Sequence, residues 1–199
     1  MIEALPTPAL LESAGLSLRA ALTADLAEIR RLRHDAWRAA GGRAPEPAPV
    51  DAGALVAGRF FLAEIEGEPV GCAGWMPTAE IDDAPVDRPN AARADAAQSI
   101  EAGQMVAEAG VPVCLLGPHV HPLFIRNGIG AALLEHIEAD LRAAGLVTAQ
   151  ALVGVGSEGF LIARGWRSRG AQFSTAGGRL VFLGMAVERR LGAVMHRAA

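Results

Sequence analysis

Apolar and polar positions along this chain switch between a two-residue and a helical period. Leu16 to Ala21 reads as a short strand. From Leu26 the spacing changes: Leu26, Ile29, Ala36 and Trp37 recur at helical intervals, and Arg30, Arg31, Arg33 and Arg38 supply a polar face. Thr23 offers an N-cap for this helix, with Asp25 in its first turn, and Gly41-Gly42 stops it. Pro45 to Pro49 reads as a loop, and Asp51 to Ala57 as one or two further helical turns. Phe60 to Ile65 and Pro69 to Met76 are strand-like runs across Glu66-Gly67-Glu68, which is a hairpin signal. An acidic, proline-rich stretch from Pro77 to Pro89 follows, then an Ala-rich predicted helix from Asn90 to Ala109, ended by Gly110. Val111 to Val120 is a strongly apolar strand. Gly117-Pro118 interrupts it, which predicts a bulge or a splayed edge, because proline cannot donate to a ladder.

Behind a glycine-rich turn, Leu133, Leu134, Ile137 and Leu141 define one face of a helix; Glu135, Glu138 and Arg142 fall on the other, and Gly145 caps the end. Leu146 to Val155 reads as a strand and Ser157 to Ala163 as a short helix ended by Arg164-Gly165. Trp166 to Ser174 and Arg179 to Val187 form a closing hairpin across Ala176-Gly177-Gly178. There is no internal repeat.

Composition narrows the class. A chain of 199 residues fits one domain, 1–199, with an N-terminal arm over 1–15. With 51% hydrophobic and 20% charged residues it is too apolar for disorder. The net charge of −4 gives no basic footprint, so no nucleic-acid partner is expected. All 18 basic residues are Arg, and there is no Tyr. That excludes a catalytic lysine, a Schiff base and a tyrosine acid. Two cysteines, Cys72 and Cys114, are no disulfide scaffold and have no metal-ligand spacing, so a reduced cytoplasmic setting is the expectation. Met1 to Gly15 contains Glu3 and no basic segment ahead of its apolar residues, unlike a secretory signal. No apolar run is long enough to span a bilayer, and no membrane partner is expected.

The chemistry concentrates between Val111 and Val155, where a strand, a glycine-rich turn, an amphipathic helix and a strand follow in order. Glycine lets the backbone approach a ligand closely. Asn127-Gly128-Ile129-Gly130 opens directly into a helix, so amides and the positive helix end face one spot, and Arg126 adds a fixed cation. These are the parts of a pyrophosphate cradle, although a G-x-G before a helix also serves as a plain tight turn. A Rossmann fingerprint fails because Leu133 holds its third glycine position. A P-loop fails for want of lysine.

Val120-His121-Pro122 followed by Gly128-Ile129-Gly130-Ala131 and Leu133-Leu134 resembles the core of the GNAT superfamily of N-acetyltransferases. Ser157 to Trp166 stands where that family has its Tyr-Glu-Lys-x-Gly-Phe segment, and the similarity runs from about Leu16 to Val187. The resemblance implies an α/β (α+β) fold: a mixed, mostly antiparallel sheet flanked by helices, with a β-α-β core that binds acetyl-CoA. It implies an acetyl-CoA-dependent N-acetyltransferase in which a primary amine of a small molecule or peptide attacks the thioester directly. The backbone of Pro118, His119 and Val120 would lie along the pantetheine arm. Amides of Arg126, Asn127, Gly128, Ile129, Gly130 and Ala131 would hold the pyrophosphate.

The family pattern is broken at two places. Ile125 occupies the family's Gln or Arg position, and Leu161 faces the family's tyrosine acid. A catalytically weakened CoA-binding regulatory or assembly module is therefore the alternative reading. His119 is the candidate base, provided that Gly117-Pro118 turns it toward the cleft, and Glu64 is a second candidate. His119 and His121 share a strand face as zinc ligands can, but no third or fourth ligand is near in sequence, so no metal is expected. Cys72 and Cys114 read as structural thiols and Trp37, Trp75 and Trp166 as core, with Trp75 the tryptophan best placed to line an acceptor pocket. The 77–110 insertion would lie near the acceptor mouth. Its Asp82, Asp83 and Asp87 either attract a cationic amine or belong to a flap or homodimer contact.

Overall fold

The computed structural model describes residues 15–41, 50, 52, 55, 59–77, 113–176 and 179–191. The N-terminal arm, the proline-rich loop, the 78–110 part of the insertion and the Gly177-Gly178 turn lie outside the described residues, as do Asp82, Asp83 and Asp87.

Among the described residues are seven strands: β1 (Leu16–Ala20), β2 (Arg59–Ile65), β3 (Glu68–Pro77), β4 (Val113–Val120), β5 (Thr148–Val153), β6 (Arg167–Ala176) and β7 (Arg179–Arg190). Three helices are α1 (Leu26–Ala39), α2 (Ile129–Ala143) and α3 (Val155–Ile162). The strands hydrogen-bond in the order β1-β2-β3-β4-β5-β7-β6. β1–β2, β2–β3, β5–β7 and β6–β7 pair antiparallel, and β4–β5 pairs parallel. Parallel neighbours need a crossover, and α2 supplies it, making the expected β-α-β unit.

The residues fall into two compact units. The first contains β1, α1, β2, most of β3, the Leu116–Val120 end of β4, and α2 up to Glu138. Its hairpin turns on Glu66 and Gly67, both with positive φ, the backbone of a two-residue turn suited to the twist of a hairpin. Ile29 and Leu32 of α1 are buried with Phe60, Leu62 and Cys72 of the sheet. On β2 the alternate residue Phe61 meets the His136 ring of α2 at 4.5 Å, so the two helices cover opposite faces. α2 seats closely because β3 offers Gly71: a Cβ there would lie 3.2 Å from Leu133 Cδ1 and 3.3 Å from Ile129 Cγ2.

The second unit contains the Val113–Leu115 start of β4, the end of α2 from Ala139, and β5 to β7 with α3. Its β4–β5 ladder joins Val113 to Ala149 and Cys114 to Gln150. Two helix ends in it share one device. Leu146 N–H donates to Leu141 and Gly145 N–H to Arg142; Trp166 N–H donates to Leu161 and Gly165 N–H to Ile162. Gly145 and Gly165 have φ of +76° and +86°. This is the paired bond pattern that closes a helix on a left-handed glycine.

Three sequence expectations change. The start of α1 is not capped by Thr23, which sits in a 3-10 turn; Asp25 instead accepts Leu22 N–H at 2.7 Å and binds Arg19 through both oxygens. Arg33 and Glu138, assigned to polar faces by residue type, are 8% and 4% exposed. Arg33 is four residues after Ile29 and Glu138 four after Leu134, so each falls on the buried stripe of its helix.

Candidate functional site

β4 positions the site. Leu116 packs against the cluster under α1. Regular alternation would then turn His119 and His121 to the other face. Both lie on the α1 side instead. His119 feels the charge of Arg33, and His121 shares a pocket with Asp35, Arg38 and Ala39 of α1. The break falls at Gly117, whose φ of +102° lies in the region that favours glycine. A Cβ at Gly117 would also come within 3.1 Å of the Cys72 carbonyl and of His119 Cδ2. The irregularity expected at Gly117-Pro118 thus redirects the histidines.

His119 is partly buried. Burial, and to a lesser degree the Arg33 charge, push its imidazole down to about 3. The neutral ring is therefore the form present near pH 7. The same surroundings push the Cys72 thiol up to about 12, mainly by burial, while Arg33 pulls the other way. Cys72 is an inert thiol at neutral pH, as expected. Glu64, the second candidate base, accepts a hydrogen bond from Arg19 Nε at 2.8 Å. Arg19 holds Asp25 on its other side, and that bond lowers the Asp25 carboxyl below its ordinary value. Glu64 is thus part of a structural ion network. Trp75 and Trp166, 1% and 2% exposed, are core as expected, whereas Trp37 is only half-buried.

Beyond Val120, the His121 N–H donates to Val70 O at 2.8 Å and ties the strand end to β3. Pro122–Phe124 forms a 3-10 turn, with His121 Nδ1 accepting Leu123 N–H at 3.4 Å. Ile125, Arg126 and Asn127 are exposed. Arg126 and Gly128 have φ of +66° and +82°, so the chain passes twice through the left-handed region before entering α2. Gly128 O accepts Ala131 N–H and Ala132 N–H, which starts the helix. The first amides of a helix have no acceptor within it. Those at the Gly128–Gly130 corner can serve an anion there, reinforced by the helix dipole. Ile129 is buried and anchors the corner.

The positions expected to meet CoA thus form one continuous path, from Pro118 to Val120 and through the turn to Ala131. Leu161, opposite the family's tyrosine, is 1% exposed and offers no proton. Among the described residues no group of three or more His, Cys, Asp or Glu is placed to hold a metal, and no helix is long and apolar enough to cross a membrane.

The chain belongs to the acetyltransferase (GNAT) family, whose model matches residues 26–160. Solved structures share the fold. The chain is similar to yncA of Salmonella typhimurium, solved with its cofactor acetyl-CoA, with a TM-score of 0.58 and 18% identity over 92% of this chain and 97% of that one. It is similar to a phosphinothricin acetyltransferase of Sinorhizobium meliloti in complex with AcCoA, with a TM-score of 0.57 and 20% identity over 89% of each chain. A ribosomal-protein-alanine N-acetyltransferase of Brucella melitensis matches with a TM-score of 0.56 and 19% identity over 87% of this chain and 99% of that one. No curated protein matches the sequence. The mixed, mostly antiparallel α/β architecture implied by the sequence is the family's, and this chain is a GNAT-family acetyltransferase.

Proposed function

We propose that the chain transfers the acetyl group of acetyl-CoA to a primary amine of a small molecule or peptide. The observation that carries this reading is the left-handed corner at Gly128, which opens into the N-terminus of α2. A side chain there would fill the space that a pyrophosphate needs. The Ala131 amide of the expected set is engaged by Gly128 O, so the amides from Arg126 to Gly130 hold the anion, and the exposed Arg126 guanidinium adds a charge. The backbone of Pro118, His119 and Val120 aligns the pantetheine arm.

Acetyl-CoA supplies an activated acetyl thioester when bound. The amine nitrogen forms a bond to the carbonyl carbon, the carbon–sulfur bond breaks, and the electron pair leaves on sulfur. The chain holds the two reactants in register, the main contribution open to it in the absence of a tyrosine acid. His119, the base expected from the sequence, is neutral and too weakly basic for that role. Its low basicity sends the amine's proton to water, and Leu161 leaves the thiolate to be protonated by solvent.

The alternative reading, a CoA-binding module with weakened catalysis, draws on the same two residues. Calorimetric titration with acetyl-CoA, followed by thiol release on an amine panel, decides between them. Binding with turnover above the uncatalysed rate is the expected result. Binding without turnover favours the module, and no binding at millimolar ligand rejects the cradle.

A further inference from the structure

The C-terminal turn of α1 and the residues just after β4 border a wide, open depression of about 460 Å³, lined by Asp35, Arg38, Ala39, His121 and Pro122. Three of the five lining side chains are ionisable, and they are of both signs. Arg38 is exposed and presents the planar fork that suits a carboxylate. His121 accepts Leu123 N–H at Nδ1, which leaves Nε2 as the protonated nitrogen, a donor on the opposite side of the ring. Asp35 receives Arg31 at 3.1 Å on one oxygen and keeps further lone pairs for a cation. The last carbonyls of α1 add partial negative charge beside it. His121 also lies two residues beyond His119, just past the end of β4.

We propose that this pocket seats the acceptor and that the acceptor is a zwitterion of the amino-acid class. Arg38 and His121 hold its carboxylate. Asp35 and the end of α1 receive its ammonium. The inference rests on the acetyl-transfer reading and adds a substrate class to it. A purely cationic amine would leave Arg38 and His121 facing a like charge or nothing, and a purely anionic ligand would meet Asp35.

The test uses the full chain with matched triplets: proteinogenic amino acids, their amides and their decarboxylated amines. Turnover with acetyl-CoA is followed by thiol release, and binding by calorimetry with and without CoA. The expected result is a preference for the free amino acids. In Arg38→Gln, the KM or Kd for those compounds rises about ten-fold or more, the loss of one charge-assisted contact, while the decarboxylated amines change little. Acetylation without a carboxylate preference, or an Arg38→Gln variant that treats all three classes as the parent does, overturns the pocket assignment and leaves acetyl transfer standing. If acetyl-CoA itself fails to bind, the functional reading falls. Carboxylate-dependent binding of the panel to the free chain would still support the pocket, and its absence would overturn that too.

Discussion

His119 and Gly128 are each governed by a local constraint that a single substitution can isolate. Because burial lowers His119 from an ordinary value near 6.5 to about 3, the folded state binds fewer protons than the unfolded state between those limits. The stability contributed by neutral His119 is therefore complete above about pH 6.5 and is lost as pH falls toward 3, with a slope of at most about 1.4 kcal/mol per pH unit. Urea denaturation at pH 7 and pH 4.5 should show the parent losing more stability than His119→Gln; equal losses would mean that the ring is not desolvated. The rate profile of His119→Gln should keep the parent's shape between pH 6 and 8, since no His119 titration falls in that range. At Gly128, valine has to adopt a φ of +82°, which costs roughly 1–2 kcal/mol for an ordinary residue and more for a β-branched one. Gly128→Val should weaken acetyl-CoA binding at least about ten-fold while its circular dichroism stays that of the parent. Parent-like binding would remove the assigned cradle.

Elements were legible wherever a period or a punctuating residue spoke for them. Leu133, Leu134, Ile137 and Leu141 are 1% exposed or less, as their spacing implies, and Gly145 and Gly165 end their helices where glycine predicts. Residue type misled where period would not have. Arg33 was placed outside by its charge, although it continues the stripe of Ile29 and Leu32. The engagement of Glu64 by Arg19 was not legible, because 45 residues separate them and only the β1–β2 register brings them together. Two glycines offer a contrast at this scale. Gly145→Ala meets no atom within 4 Å and should cost only the left-handed backbone penalty, about 1–2 kcal/mol. Gly71→Leu drives a large side chain against Ile129 and Leu133 of α2 and should cost about 3 kcal/mol or more. Thermal denaturation of both variants checks the order; a milder Gly71→Leu would mean that α2 is free to move off β3.

Across the whole molecule, the family pattern shows a division between what backbone supplies and what side chains supply. The corner at Gly128, the end of β4 and the β-α-β connection are backbone features. The side chains at Ile125 and Leu161 have departed, and the absence of Tyr and Lys was plain from composition. The proposed acceptor pocket was not legible, since Arg38 reads as part of a polar helix face and only the fold sets it with Asp35 beside His121. An all-Arg chain also carries no side-chain amine. Incubation with acetyl-CoA should leave every internal peptide of the protein unmodified at nitrogen by mass spectrometry, giving amine assays a clean background.

The redirected backbone at Gly117 makes β4 two words written in opposite phase. In the first, a substitution is spelled out in stability, because Val113 and Leu115 are buried and Leu116 packs against the cluster under α1. In the second, His119 to His121, the face is chosen by the left-handed glycine rather than by the alternation upstream. A residue-by-residue substitution series along this strand should therefore change its readout at Gly117. Before it, Val113 and Leu115 resist change because the core needs them; after it, substitutions should register in ligand binding.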